Sequence, residues 1–118
     1  MARDKVHAYP RENRLNTKRD IDRVFRCANR RMARGPVAII GVPNKLTHPR
    51  LGMTVAKRHL PKAVHRNYVK RVIREWFRCN QSNLRNRDFI VILRHRPHDL
   101  ASIRGCLDEI GKNPLLGT

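Results

Sequence analysis

Residues 62–78, KAVHRNYVKRVIREWFR, combine many cations with aliphatic and aromatic side chains. On a helical wheel of about 100° per residue, the apolar side chains occupy one side and the basic ones the next. The apolar side holds Val69, Val72, Ile73, Trp76 and Phe77, and the basic side holds Asn67, Lys70, Arg71, Arg74 and Arg78. Cations one turn apart can follow a phosphate backbone, and the guanidinium fork of Arg binds phosphate oxygens two at a time. The pattern therefore predicts a helix that is anchored in a core and binds phosphates along its other side.

The charge of the whole chain also favours a polyanionic partner. The 118 residues contain 27 Lys+Arg against 9 Asp+Glu, a formal net charge of +18. Such a charge repels itself on a compact domain and is best tolerated when a polyanion neutralises it. A charge run on a helix is most often a solvated face, but acids are not interspersed along this one. Nucleic acid is therefore the leading partner, ahead of an acidic membrane surface or an acidic protein.

Length and cysteine usage predict one cytoplasmic domain. The cysteines, Cys27, Cys79 and Cys106, are odd in number and lack CxxC spacing, so we expect small buried apolar residues rather than a disulfide framework. No apolar run approaches the roughly 20 residues of a membrane span, and the N-terminus lacks the apolar segment of a secretory signal. We expect a single nucleic-acid-binding domain over residues 1–118, with a flexible basic arm at 1–16 and a loose tail at 112–118.

Helix caps and apolar periodicity predict the elements that position the basic helix. Thr17 begins a capping box for a short helix. The apolar face of this helix is formed by Ile21, Val24, Phe25 and Ala28. Apolar runs at residues 37–42, 51–56 and 89–93 predict strands, the first two paired as an antiparallel hairpin. Further helices are predicted at residues 62–79, ended by Asn80, and around residues 100–110.

The predicted order is therefore α-β-β-α-β-α, with residues 29–36 as a break after the first helix. This order gives an α/β (α+β sandwich) fold, in which helices pack on a small, mostly antiparallel sheet. At least one face of the sheet must be covered by helices, because the strand runs are apolar on both sides.

Several segments together resemble a known family. They are Arg14-Leu15, residues 20–25 (DIDRVF), 50–52 (RLG), 55–58 (VAKR), 62–75 (KAVHRNYVKRVIRE) and 88–92 (DFIVI), then Arg94 and Pro97. In order and spacing they resemble the protein subunit of bacterial ribonuclease P, over nearly the whole chain. The resemblance implies a fold like the second domain of the fifth small-subunit ribosomal protein. The family's Arg-Asn-Arg signature reads Arg66-Asn67-Tyr68 here, which puts an ion contact at the third position in doubt.

The resemblance implies two RNA surfaces. The basic block that meets the catalytic RNA corresponds to Lys57, Arg58, Lys62, Arg66, Asn67, Lys70 and Arg71. A cleft between the sheet, the first helix and the long helix would hold the 5′ leader of precursor tRNA. Its matching positions are Ile21, Phe25, Ile39, Lys70 and Arg74. For Phe25, packing in the core remains the alternative to a place in the cleft.

The resemblance further implies that the RNA, not the protein, makes the cut that releases the leader, using Mg²⁺ ions. The sequence agrees, because it lacks a carboxylate cluster for two metals, an HExxH motif and a phosphate-binding Gly loop, so we expect no catalytic residue, metal site or cofactor in the protein. The expected partners are ribonuclease P RNA and precursor tRNA, with no DNA and no membrane. The alternative is a structural RNA-binding protein of the ribosome, which would share this composition.

Overall fold

The computed structural model describes residues 13–84 and 86–112, which form three helices and four strands. In chain order the elements are α1 (Lys18–Cys27), β1 (Arg30–Arg34), β2 (Val37–Pro43), β3 (Arg50–Thr54), α2 (Ala63–Leu84), β4 (Arg87–Leu93) and α3 (Ser102–Gly111). The mixed α/β class is confirmed. Thr17 caps α1 as predicted, since its Oγ1 accepts a hydrogen bond from the Asp20 N–H at 3.2 Å.

The sheet has the strand order β1-β2-β4-β3. Strand β2 pairs antiparallel with both β1 and β4, whereas β3 pairs parallel with β4. The predicted hairpin between residues 37–42 and 51–56 is therefore wrong, because β4 lies between those two strands. Strand β4 takes this interior position since it is apolar on both faces, and an interior strand is covered on both.

Strand β1 lies in the segment that was expected to be a break. Its sequence, RRMAR, is mostly charged and lacks an apolar run, which suits an exposed edge strand. Gly35 and Pro36 join it to β2, since Arg34 pairs with Val37. The φ of Gly35 is +56°, a conformation that side-chain-bearing residues rarely adopt, and it allows this two-residue hairpin turn.

Helix α2 carries the predicted apolar side into the core. Val69, Ile73, Trp76 and Phe77 are each at most 1% exposed. The helix does not end at Asn80, whose side-chain amide instead donates to the Trp76 carbonyl at 2.8 Å. It continues to Leu84, which is buried, so packing overrides a weak local stop signal.

The sheet is covered on both faces. Helices α2 and α3 lie on one face, over a large apolar cluster that includes Ile39, Phe89 and Trp76. Helix α1 lies on the other face, where Val24 packs with Ile40 and other sheet residues.

The last residues of the predicted flexible arm are docked beside β3. The Asn13 side chain donates to the Pro49 carbonyl at 2.7 Å, and the Leu15 N–H donates to the Leu51 carbonyl at 2.8 Å. A Cβ at Gly52 would lie 3.0 Å from the Leu15 carbonyl oxygen, so glycine permits this close approach. Residues 13–16 are therefore not a free arm. The rest of the arm, residues 1–12, and the tail at 113–118 lie outside the described residues.

Candidate nucleic-acid interface

A cleft opens between the docked N-terminal segment, the start of α1, β3 and α2. Its volume is about 510 Å³. It is lined by Arg14, Leu15, Asn16, Ile21, Leu51, Gly52, Met53, Lys70 and Arg74. The fold thus brings together Ile21, Lys70 and Arg74, three of the positions that the resemblance assigns to a leader-binding cleft. The cleft combines an apolar floor with cations along one wall.

The cations of this wall are Lys70 and Arg74 of α2. Within residues 13–84 and 86–112, neither Lys70 nor Arg74 forms an ion pair with an acidic side chain. One turn further along α2, by contrast, Arg78 is paired with Glu75 at 2.8 Å. The predicted basic side of α2 is therefore available to an anion at Lys70 and Arg74, and its charge is partly neutralised at Arg78.

The basic block before α2 lies outside the cleft. Lys57, Arg58 and Lys62 are exposed in the turn that precedes the helix. Arg66 has a structural task there, because its guanidinium donates to the carbonyls of Leu60 and Pro61 at 2.9 and 2.8 Å. It therefore shapes the turn that presents the three exposed cations.

Asn67 and Arg71 continue the block onto α2. Both side chains are exposed, and the Arg71 guanidinium carbon lies 5.7 Å from the centre of the Tyr68 ring, within cation–π range. Tyr68, which stands where the resembled signature has Arg, thus interacts with a cation of the block without adding one.

Phe25 is not a core residue. Its side chain is 44% exposed, while Val24 beside it is fully buried. Phe25 follows Ile21 by one turn of α1, so the two side chains lie on the same face of the helix. Core packing, the alternative use of this ring, is therefore wrong.

Ile39 does not join the other proposed cleft residues. It is 1% exposed and belongs to the cluster beneath α2 and α3, on the face of the sheet opposite α1. Strand side chains alternate between faces, so Ala38 and Ile40 are the residues of β2 that face α1. They line a shallow hollow of about 360 Å³, whose walls also include Ile39, Ile92, Arg31 and Arg94.

A buried ion-pair network fixes α1 to the sheet, and sequence reasoning missed it. Asp88, near the start of β4, is fully buried. Arg50 donates to both of its carboxylate oxygens, at 2.9 and 2.7 Å, and Arg23 of α1 donates to one of them. Asn44 adds a bond at 2.8 Å, and Arg50 also reaches Asp20 at 3.3 Å. The signal in the sequence was a single Asp before an apolar strand, which does not reveal its partners.

Burial of Asp88 alone would raise the pKa of its carboxyl group. The hydrogen bonds from Arg50 and Asn44 and the charges of Arg50 and Arg23 outweigh burial, so the pKa lies below its ordinary value of 3.8. The pKa of Arg50 is raised, mainly by its hydrogen bond to Asp88. Both groups are therefore charged at neutral pH and hold α1 in place beside the cleft.

The three cysteines are free, and Cys27 and Cys79 are exposed rather than buried as expected. Across the described part of the chain, His, Cys, Asp and Glu side chains nowhere gather in a group of three that could hold a metal ion. Each helix in that part is too short or too polar to cross a bilayer.

The fold and the site together define a class: a small, strongly basic α/β domain with a cleft beside its sheet that is lined by cationic and apolar side chains. A profile of the family described as Ribonuclease P matches residues 9–112. The chain is 42% identical over 106 residues to a ribonuclease P protein component of Photorhabdus laumondii, covering 89% of this chain and 87% of that one. It is 45% identical to that of Vibrio campbellii, covering 82% and 81% of the two chains.

Solved structures agree with the sequence comparisons. The RNase P protein of Staphylococcus aureus superimposes with a TM-score of 0.75 at 30% identity, over 85% of this chain and 95% of that one. The RNase P protein of Thermotoga maritima gives 0.70 at 27% identity, over 84% and 94%. The chain belongs to the ribonuclease P protein family, whose members are protein subunits of a tRNA-processing ribonucleoprotein.

Proposed function

We propose that this chain binds ribonuclease P RNA and the 5′ leader of precursor tRNA in the cytoplasm, and that the RNA catalyses removal of the leader. One observation carries the proposal: Lys70 and Arg74 stand without acidic partners, among the described residues, on the wall of a cleft with an apolar floor. Membership of the family supplies the two RNA partners.

The cleft has the properties of a single-strand binding groove. Such grooves combine cations that follow the backbone with apolar or aromatic surfaces on which bases rest. Lys70 and Arg74 would contact leader phosphates, and Ile21 would contact its bases. Phe25 extends this surface, because it is exposed one turn along α1.

The basic block is the proposed contact with ribonuclease P RNA. Lys57, Arg58 and Lys62 are exposed side by side, in a turn that Arg66 holds in shape. Asn67 and Arg71 extend the block along α2, and Lys70 lies between the block and the cleft, so it can serve either RNA. Each phosphate contact releases condensed counterions, which gives salt-sensitive binding.

The protein's contribution to the reaction is proposed to be electrostatic and positional. Bringing cations to the leader and to the RNA lowers the repulsion between the two polyanions, so less Mg²⁺ is needed to bring them together. We assign no catalytic residue to the protein.

The test is reconstitution with the matching RNA at low Mg²⁺ concentration. Wild-type protein should restore cleavage of precursor tRNA, and the Lys70→Ala, Arg74→Ala double variant should restore it poorly. Arg104→Ala is the matched control for Arg74→Ala, because it also removes one Arg from the surface of a helix. Arg104 differs from Arg74 in that it already pairs with Asp108, at 3.2 Å. Failure of the wild type to stimulate cleavage, or cleavage by protein without RNA, would contradict the proposal.

A structural role in the ribosome is the competing function. The family match favours ribonuclease P. Isolation of the chain from cells distinguishes the two, since ribosomal subunits should not accompany it, whereas one RNA of ribonuclease P should.

A further inference from the structure

A second hollow lies on the far side of α2, between the start of that helix and the turn before α3. Its volume is about 520 Å³, and it shares no lining residue with the cleft. Its walls include Val64, Asn67, Tyr68, Arg71, Asp99 and Leu100. It adjoins the basic block, since Asn67 and Arg71 belong to both.

Tyr68 and Arg71 form a layered surface in this hollow. Tyr68 packs against the core, while the Arg71 guanidinium lies over the ring at 5.7 Å from its centre. No acidic side chain of the described residues pairs with Arg71. A guanidinium held against a ring in this way presents a flat, charged surface on which a base can stack. Val64, which is 67% exposed, supplies an apolar wall.

The polar groups of the hollow suit a base better than a phosphate. Asp99 is fixed by accepting a hydrogen bond from the Ala101 N–H at 3.1 Å, so its negative charge stays at the rim. A carboxylate repels phosphate but accepts hydrogen bonds from the amino group of a base. Asn67 is exposed and offers both a donor and an acceptor to a base edge.

We propose that this hollow binds one unpaired nucleobase of the RNA subunit, stacked on the Tyr68–Arg71 pair, with an amino-bearing edge directed to Asp99. The inference rests on the proposed function and deepens it, because it gives the RNA-binding surface a site for a base. Unpaired bases are the parts of an RNA that proteins read by stacking and by hydrogen bonds.

The first test compares Tyr68→Leu with Tyr68→Phe, measuring affinity for ribonuclease P RNA at several salt concentrations. Loss of the ring should weaken binding roughly 5- to 150-fold without changing the salt slope, because stacking neutralises no phosphate. Phe should retain wild-type affinity. Equal affinity for Leu and wild type, or a Leu slope that falls by about one, would overturn the inference.

The second test is chemical modification of unpaired bases in the complex. Wild type and Tyr68→Phe should protect one base that Tyr68→Leu leaves reactive. Asp99→Asn keeps the oxygen that accepts from Ala101 and removes the charge, so the protein should fold and protect the amino edge of that base less. If the three Tyr68 forms protect the same bases, the hollow is not a base site.

The two proposals fail in distinguishable ways. If wild-type protein does not bind the RNA, the proposed function is wrong. A second outcome has three parts: wild type binds the RNA, Lys70→Ala and Arg74→Ala reduce the salt dependence of binding, and Tyr68→Leu binds as well as wild type. In that case only the base site is wrong.

Discussion

Arg50 and Arg74 show how the same residue type has different partners in two regions of this protein. Both side chains are partly buried. Arg50 contacts Asp20 of α1, and Arg74 lines the cleft. Arg50 gives its hydrogen bonds to Asp88 and Asp20. Arg74 has no acidic partner within residues 13–84 and 86–112. The neighbours, rather than the residue type or its burial, decide which arginine stabilises the fold and which lacks an acidic partner among the described residues.

Several acids of the described residues form ion pairs with cations that do not line the cleft. Asp88 and Asp20 are used by the network under α1, and Asp108 and Glu109 pair with cations on or beside α3. These pairs leave Lys70 and Arg74 without an acidic partner among the described residues.

The largest effect is expected from Asp88→Ala. Removing a fully buried carboxylate leaves Arg50 and Arg23 without their partner, and breaking such a buried pair costs about 3–5 kcal/mol. Urea unfolding followed by circular dichroism measures the loss. Glu109→Ala is the control, because it breaks an exposed pair with Arg34, and its midpoint should stay near wild type. Similar unfolding midpoints for the two variants would contradict a stabilising role of the Asp88 network.

The cleft cations should affect binding rather than folding. Lys70→Ala and Arg74→Ala should each weaken binding of leader-bearing precursor tRNA about tenfold and lower the salt slope by about one. Their unfolding midpoints should match wild type, since neither side chain pairs with an acid of residues 13–84 and 86–112. An unchanged slope would show that these cations contact no phosphate.

Phe25→Ala should reduce binding of leader-bearing precursor by up to about tenfold, because an exposed ring can stack on a base. Binding of mature tRNA should change little. The stability cost should fall well below the roughly 3–5 kcal/mol of a buried Phe, because 44% of the side chain is exposed. Equal losses for both RNAs would place the ring outside the leader path.

The smallest effect is expected from low pH, which should reduce the free energy of unfolding. The pKa of Asp88 is lowered in the folded protein, so its stabilising contribution is complete well above 3.8 and is lost as pH falls through the lowered pKa. The free energy of unfolding should therefore decline below pH 3.8 in wild type and decline less in Asp88→Asn. Parallel declines would assign the acid sensitivity to other carboxylates.

Local signals predicted much of the fold. The Thr17 cap, the apolar side of α2 and strand β4 follow from short-range patterns, and the structure confirms them. Pairing was harder, because β3 could meet either β2 or β4 and the sequence distance favoured the wrong one. Strand β1 lacks the apolar pattern that identifies interior strands.

In the candidate site, too, local patterns were predictable and long-range contacts were not. Lys70 and Arg74 were recognisable because they share a helix with their anchor, Trp76, and helical geometry fixes their direction. The burial of Ile39 in the cluster beneath α2 and α3 could not be read in this way, because neighbouring residues of a strand face opposite sides of the sheet.

The sequence by itself determined that this chain has a cationic helix side backed by an apolar one, since both properties depend on residue type and a fixed period of 3.6. Only the tertiary structure decided which cations remain available. Ion pairs such as Arg50–Asp88 join residues far apart in the chain, so their distances depend on how the strands are ordered.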